Sequence, residues 1–378
     1  MKFSVNQNVF INQINNVLRA ISSKTTIPIL TGIKIVVYDN EITLTGSNAD
    51  ITIQSTMTTA ESSNELVIDE PGAIVLPARF FSEIVKKLPE KTVTVNVHDG
   101  FQTKITSGSA EFIINGQDAN NYPHLPEIES DATIKVDADL LRDVIDQTRI
   151  AVSKQESRPI LTGIHVLLAD GVLTAVATDS HRLAQRKVKV DTGDASYDVV
   201  IPGDSMTELS RLISDEKDPV DLQIAENQVL FKFGNTLFYS RLLEGNYPET
   251  SRLIPDTADT TIEVDAGKFL STIERASLLS HQGHNNVVKL TIDPDQGAAK
   301  ISGDSAEVGN VEENVMADSV KGAELEISFN PDYMSDALKS FGQSTILISF
   351  TSALRPFTLV PTEDKDDFIQ LITPVRTF

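Results

Sequence analysis

Asp179-Ser180-His181 places a carboxylate, a hydroxyl and an imidazole side by side, the residue types of a hydrolytic triad. Adjacency works against that chemistry. Along an extended chain neighbouring side chains point to opposite faces, whereas a triad needs its three groups to converge. The run is therefore read as structural or ligand-binding. A hydrolase using Asp179 and His181 stays as the alternative, and turnover abolished in Asp179→Ala would mark it. His281 and His284 have a spacing that can hold a metal, but no Cys exists in the chain and no acidic ligand flanks them, so a surface loop is expected. No phosphate-cradling G-x-x-x-x-G-K loop is present, which leaves ATP chemistry to a partner. The residues thus imply no catalytic group, no cofactor and no metal.

The elements that would carry these residues are repeated. Pro28-Ile29-Leu30-Thr31-Gly32-Ile33 recurs as Pro159-Ile160-Leu161-Thr162-Gly163-Ile164 at an offset of 131, too long an identity for chance within one chain. Lys2-Phe3-Ser4-Val5, Lys135-Val136-Asp137-Ala138 and Glu263-Val264-Asp265-Ala266 each open a segment of helical spacing. Those segments are expected to end at Ser23-Lys24, Ser153-Lys154 and Ser280-His281. A second helix is expected three times, beginning near Pro77, Pro202 and Pro331, since proline is tolerated in a first turn. Alternating runs such as Thr92–Val97, Asp221–Ile224 and Thr345–Phe350 predict strands. Asn121-Tyr122-Pro123 and Asn246-Tyr247-Pro248 close the first two copies, giving units 1–129, 130–255 and 256–378. The fold class is α+β, each unit two helices on antiparallel sheets. A period near 126 is far above the ~20–50 residues of solenoid repeats, so equal units joined head to tail in an arc that can close into a ring are expected.

A net charge of −22 argues against a surface that coats nucleic acid everywhere, and leaves room for a local basic patch. Residues 1–38 hold Lys2, Arg19, Lys24 and Lys34 and no acid. Summed over the six expected helices with their ends, the charge is +3, against −25 elsewhere. Such sorting suits a weakly positive lining that attracts a phosphate backbone without reading bases. Glu307, Glu312 and Glu313 read as a solvated loop, with pairing to a basic end of a second subunit as the lesser reading. Absence of cysteine suits a reducing cytoplasm, the first twenty residues lack a signal-peptide core, and no run of eighteen apolar residues spans a membrane. A repeat scaffold that binds only proteins is a further alternative.

The three-copy layout, the Lys-Phe-Ser-Val start, the Pro-Ile-Leu-Thr-Gly motifs and Ala177-Thr178-Asp179-Ser180-His181-Arg182-Leu183-Ala184 together resemble the bacterial DNA polymerase III beta subunit family, the sliding clamps, from Met1 to Pro374-Val375-Arg376. The resemblance implies a head-to-tail homodimer enclosing duplex DNA without sequence preference, opened by an ATP-driven clamp loader, with no catalysis. It implies that the replicative polymerase and other proteins dock a short peptide in a pocket. From the second unit that pocket takes Leu161, Thr178, His181, Arg182, Leu183, Pro248, Arg252 and Leu253. From the third it takes Asn330, Tyr333, Leu354, Pro356, Leu371, Thr373, Pro374, Val375 and Arg376. DNA contacts carry over to Lys24 and Gln155, with Lys154 and Arg149 beside them, and the subunit interface to Phe112 and Ile114 at one end and Leu278 and Leu279 at the other. The chain departs from the pattern at Asp204, where relatives often carry a basic residue, and at Thr373 and Pro356 in the pocket, which implies weaker DNA contact in the second unit and an altered peptide preference.

Overall fold

The computed structural model describes residues 1–124, 128, 132–281 and 286–376. His284 and the expected unit boundary at 129–130 lie outside the described residues.

Six α-helices form among the described residues: α1 (Gln7–Leu18), α2 (Ala78–Lys87), α3 (Ala138–Thr148), α4 (Gly203–Leu212), α5 (Ala266–Ser280) and α6 (Pro331–Phe341). Their starts follow from local chemistry. Asn6 caps α1 by accepting from the Asn8 and Val9 amides, and Asp265 caps α5 through the Lys268 amide at 2.8 Å. Asn330 caps α6 through the Asp332 amide at 2.8 Å, and Pro331 takes the first turn, where no amide donor is needed. Lys86 and Lys87 end α2 where the helix dipole is negative. The residues expected to open helices fold instead as strands running into them: Lys2–Asn6, Ile134–Val136 and Thr260–Asp265. Their alternation puts Phe3, Val5, Ile134, Val136, Ile262 and Val264 inside. Ser23-Lys24 and Ser153-Lys154 lie beyond the ends of α1 and α3, in the loops that follow.

This shift relocates the charge. Within the helices as folded, α1 carries no charged residue and the six together sum to −1 rather than +3. The difference is four cations just past the helix ends: Arg19 and Lys24 after α1, and Arg149 and Lys154 after α3.

The repeated hexapeptide has a structural cause. Both copies are one 3-10 turn, Pro28–Thr31 and Pro159–Thr162, in which the threonine hydroxyl donates back to the proline carbonyl at 2.8 and 2.7 Å. The following glycine enters a strand so closely packed that a Cβ on Gly163 would stand 2.6 Å from Val200 Cγ1 and 2.8 Å from the Ile201 carbonyl. A Cβ on Gly32 would collide with Val75 in the same way.

Contacts divide the chain into two compact units, Met1–Asp139 with Arg211–Leu242 and Leu140–Ser210 with Leu243–Phe378. The second sequence copy is shared between them. In the first unit an eight-stranded antiparallel sheet runs from Ile134–Val136 through Val220–Ile224, Gln228–Phe233 and Thr236–Arg241 to Ile51–Thr58, Glu41–Ser47, Gly32–Val37 and Gly72–Pro77. The seam between copies is Thr236–Ser240 paired with Ile51–Ser55. A five-stranded sheet in that unit ends on Ala110–Asn115. Phe10 of α1 meets Phe3 and Phe81 edge to face, each at 5.8 Å.

In the second unit a nine-stranded sheet runs through Tyr197–Pro202, Gly163–Ala169, Val172–Thr178 and Arg182–Lys189. It continues across another seam into Phe368–Ile372, Phe357–Pro361, Thr345–Phe350, Thr260–Asp265 and Ala317–Gly322. A four-stranded sheet ends on Gly309–Val315. The core beneath α5 and α6 gathers Phe269, Phe329, Phe350 and Phe357.

Candidate functional site

The strand Val172–Thr178 leaves its sheet through a turn held by side-chain hydrogen bonds of Thr178 and Asp179. Thr178 Oγ1 accepts from the Ser180 amide at 3.2 Å and donates to the Arg182 carbonyl at 2.7 Å. Asp179 Oδ1 accepts from the amides of His181 (2.9 Å) and Arg182 (3.0 Å), and its Oδ2 accepts from Arg182 Nε at 3.1 Å. Ser180 sits at φ +77°, the left-handed region, which aims its hydroxyl toward Arg158 Nη1, 3.4 Å away, and not toward His181. A carboxylate held by three donors is a turn-former, so Asp179-Ser180-His181 does not assemble a triad.

What the turn presents is Arg182. Its side chain is only 13% exposed, and Nη1 reaches Asp336 on α6 at 2.7 Å. The guanidinium lies over the Tyr333 ring at 4.5 Å from the centroid, and His181 stacks on that ring at 6.3 Å. Burial raises the Tyr333 phenol above its usual range, the Asp179 carboxylate adds to this, and Arg182 opposes it.

Beside this polar wall lies an apolar floor. Cross-strand pairing lines up Thr178 with Leu183 and Leu183 with Leu371. Leu183, Leu371 and Val176 pack as one buried cluster, with Ile254 against it. The C-terminal tail closes the side: the Thr373 amide donates to the His181 carbonyl at 2.9 Å and the Val375 amide to Ser328 at 2.8 Å. Beneath Thr178, Tyr247 accepts the Thr178 amide at 3.0 Å and stacks on His165 at 4.9 Å. Burial pushes the Tyr247 phenol up to about 12, with the Thr178 amide opposing.

Direct contacts thus join Thr178, His181, Arg182, Leu183, Tyr333, Leu371 and Thr373. Leu161 is buried in its 3-10 turn, and Asn330 holds the start of α6. Pro248, Leu253 and Leu354 are exposed, the last two at 48% and 62%, and Arg252 pairs with Glu249 at 3.1 Å. Pro356, Pro374 and Val375 are half-buried and Arg376 is exposed. Sequence reasoning missed Asp336, Val176, Ile254, Tyr247 and His165 as parts of this wall and floor. Only Tyr247 left a signal, in the repeated Asn-Tyr-Pro.

Lys24 and Gln155 occupy one turn in two copies, their amides donating to Ser22 Oγ and Ser153 Oγ, each at 3.1 Å. Both side chains and Lys154 are exposed, while Arg149 is drawn to Asp146 at 2.8 Å. Asp204 lies in the first turn of α4, where its charge complements the helix dipole. At the chain's sheet ends, Ala110–Asn115 pairs on one side only and exposes Phe112 (41%) and Ile113 (60%), with Ile114 half-buried. Leu278 on α5 is 67% exposed and Leu279 half-buried. Glu312 and Glu313 are not in a solvated loop. They lie on Gly309–Val315, where Glu312 meets Lys300 at 3.0 Å and Glu313 grips Arg275 at 2.5 and 2.9 Å. The Arg275 hydrogen bond holds the Glu313 carboxyl below its ordinary value. His281 Nε2 contacts Asp332 at 2.8 Å, and among the described residues no cluster of His, Cys, Asp or Glu could hold a metal ion.

Three family models, the N-terminal, central and C-terminal domains of the DNA polymerase III beta subunit, match residues 1–126, 135–249 and 251–376. The chain belongs to that family. It is 52% identical to the beta sliding clamp of Bacillus subtilis strain 168 and 45% identical to that of Staphylococcus aureus strain N315, each over the whole of both chains. Its fold superposes on the DNA polymerase sliding clamp of Bacillus subtilis with a TM-score of 0.97 at 50% identity, again over all of both chains. The beta chain of Streptococcus pneumoniae TIGR4 gives 0.96 at 44%, with the same full coverage. The three-part α+β architecture is that of the sliding clamps, and with it comes the function of a non-catalytic DNA clamp.

Proposed function

We propose that two copies of the chain pair head to tail into a ring of six units that encloses duplex DNA without sequence preference. The observation that carries this is a pair of edge strands, one in each compact unit, that pair on one side only among the described residues. Ala110–Asn115 carries exposed apolar side chains, and Gly309–Val315 carries Glu312 and Glu313. An exposed apolar edge strand is a template for another strand, and Leu278 and Leu279 on α5 supply apolar surface for the second half of such a joint. Within each copy the units are those set by the repeat, 1–129, 130–255 and 256–378.

Lys24, Lys154, Gln155 and Arg149 face the phosphate backbone in this reading, from the segments past the ends of α1 and α3. Phosphate contacts of this kind hold DNA loosely and let it slide. The groove of Leu183, Leu371, Tyr333, His181 and Arg182 receives the short peptide of the replicative polymerase, the clamp loader and other partners. Its apolar floor supplies affinity, and the Arg182 wall supplies direction. The protein works in the cytoplasm.

The test is topological. The chain is loaded on nicked circular DNA by a clamp loader with ATP, and the circle is then cut. Retention on the circle at moderate salt and release after linearisation are expected. Persistence on linear DNA, or a native mass of 41.3 kDa at micromolar concentration, overturns the ring.

A further inference from the structure

Away from the groove, α3, the strand Arg182–Lys189, the end of α6 and the loop after Phe357–Pro361 surround a cleft of ≈ 350 Å³. Arg186 lines one side, opposite Phe368 in the ladder, with its guanidinium 5.7 Å from that ring's centroid. In a chain with 54 acidic residues its Nε still lacks a hydrogen-bond partner among the described residues. Glu363 and Asp364 line the same cleft, yet no ion pair joins Arg186 to either of them.

The remaining walls are rich in acceptors. Ser340, Ser344 and Thr362 spend their hydroxyl protons on the backbone carbonyls of Ala337, Phe341 and Thr345, at 2.6, 2.9 and 3.3 Å. Ser340 Oγ also accepts from Gln370 Nε2 at 3.2 Å and keeps one lone pair, while Ser344 and Thr362 keep theirs to receive a donor. The C-terminal end of α6 adds the negative pole of its dipole. One cleft therefore holds an unpaired cation on one wall and carboxylates with acceptor oxygens on another, with space between them. Complementarity to both at once calls for a small ligand carrying both charges.

We propose that this cleft binds a free α-amino acid, its carboxylate on Arg186 and its ammonium at Glu363, Asp364 and the hydroxyls. A volume of this size is at the lower end of the ~300–1,000 Å³ of small-molecule sites. Phe341 and Pro361 also line it and suit an apolar side chain, which makes L-leucine the probe. The site is separate from the peptide groove and does not depend on the clamp reading.

Calorimetric titration of the full-length chain with L-leucine tests it, with N-acetyl-leucine and leucinamide as forms lacking one charge each. Saturable binding of leucine is expected, with both blocked forms weaker by about tenfold or more, the loss of one charge-assisted contact. Arg186→Ala removes the binding, and because it also uncovers Phe368, the exposed-loop variant Glu363→Gln/Asp364→Asn serves as the second arm, with a loss of about tenfold expected. N-acetyl-leucine binding as tightly as leucine makes the cleft an anion site and overturns the proposal, as leucinamide doing so makes it a cation site. No saturable heat, or leucine binding unchanged in the loop variant, also overturns it.

Discussion

The turn at Ser47–Ile51 and the turn at Thr178–Arg182 are the same object built 131 residues apart. Ser47 Oγ accepts from the Ala49 amide at 3.2 Å and donates to the Ile51 carbonyl, and Asn48 Oδ1 accepts from the Asp50 and Ile51 amides at 3.0 and 2.8 Å. Ala49 takes φ +79°, as Ser180 takes +77°. The tyrosine of each Asn-Tyr-Pro, Tyr122 and Tyr247, has its phenol raised by burial. Lys34 lies over the ring of Tyr122 where His165 stacks on that of Tyr247. The copies part at the residue that leaves the turn. Both stand at a sheet seam, Ile51 opposite Ser240 and Arg182 opposite Ile372, but Ile51 is buried whereas the Arg182 side chain turns to Asp336 and Tyr333. Hydrogen bonds of the turn fix only where that residue stands. Its side chain decides whether the place joins the core or reaches across to a neighbouring helix.

Substituting the two exit residues separates the copies most sharply. Arg182→Ala removes the guanidinium partner of Asp179, which keeps its two amide donors, and of Asp336, which is 43% exposed and so screened by water, at about 1–3 kcal/mol. Ile51→Ala costs about 2–5 kcal/mol by cavity formation. Denaturant melts are expected to show comparable losses. Peptide titration, performed where both variants are folded, is expected to fail for Arg182→Ala alone.

High pH distinguishes the tyrosines next. With the folded Tyr247 phenol raised from 10.0 to about 12, the contribution of its neutral form is complete below pH 10 and is lost as pH rises toward 12. Two pH units correspond to about 2–3 kcal/mol. Stability measured from pH 9 to 12 is expected to fall more steeply in the native chain than in Tyr247→Phe.

A smaller effect comes from the turns themselves. Asn48→Ala and Asp179→Ala each leave turn amides without an acceptor, at about 1–3 kcal/mol. Retention on circular DNA is expected to persist in both, and a catalytic Asp179 would instead show as a hydrolytic activity lost with the carboxylate. The smallest change is expected at Lys24→Ala and Lys154→Ala, within about 0.5 kcal/mol of native stability. Each is expected to lower the slope of log affinity against log salt by about 0.9.

Much of the fold is legible because its causes are local. The second helices beginning near Pro77, Pro202 and Pro331 and the alternating strands Thr92–Val97, Asp221–Ile224 and Thr345–Phe350 were read from local pattern, whereas the caps Asn6 and Asp265 and the 3-10 turn of Pro-Ile-Leu-Thr-Gly were not. The strands leading into α1, α3 and α5 were masked because their alternation runs directly into a helical period, and the two patterns overlap at the junction. The charge balance failed for the related reason that it depends on where each helix stops. Of the candidate site, Thr178, His181, Arg182, Leu183 and Leu371 came with the family resemblance. Asp336 did not, since an aspartate on a polar helix face looks the same whether it meets water or an arginine.

The sequence by itself determined the triplication, the turn chemistry and the residues available to a site, all properties of neighbouring groups. Only the tertiary structure decided that Arg182 meets Asp336, 154 residues away, and that the second copy divides its strands between two sheets. Both depend on strand register across the seams, where Ile51 lies opposite Ser240 and Arg182 opposite Ile372. Register is set by cooperative packing of whole faces, so no short window of residues contains it.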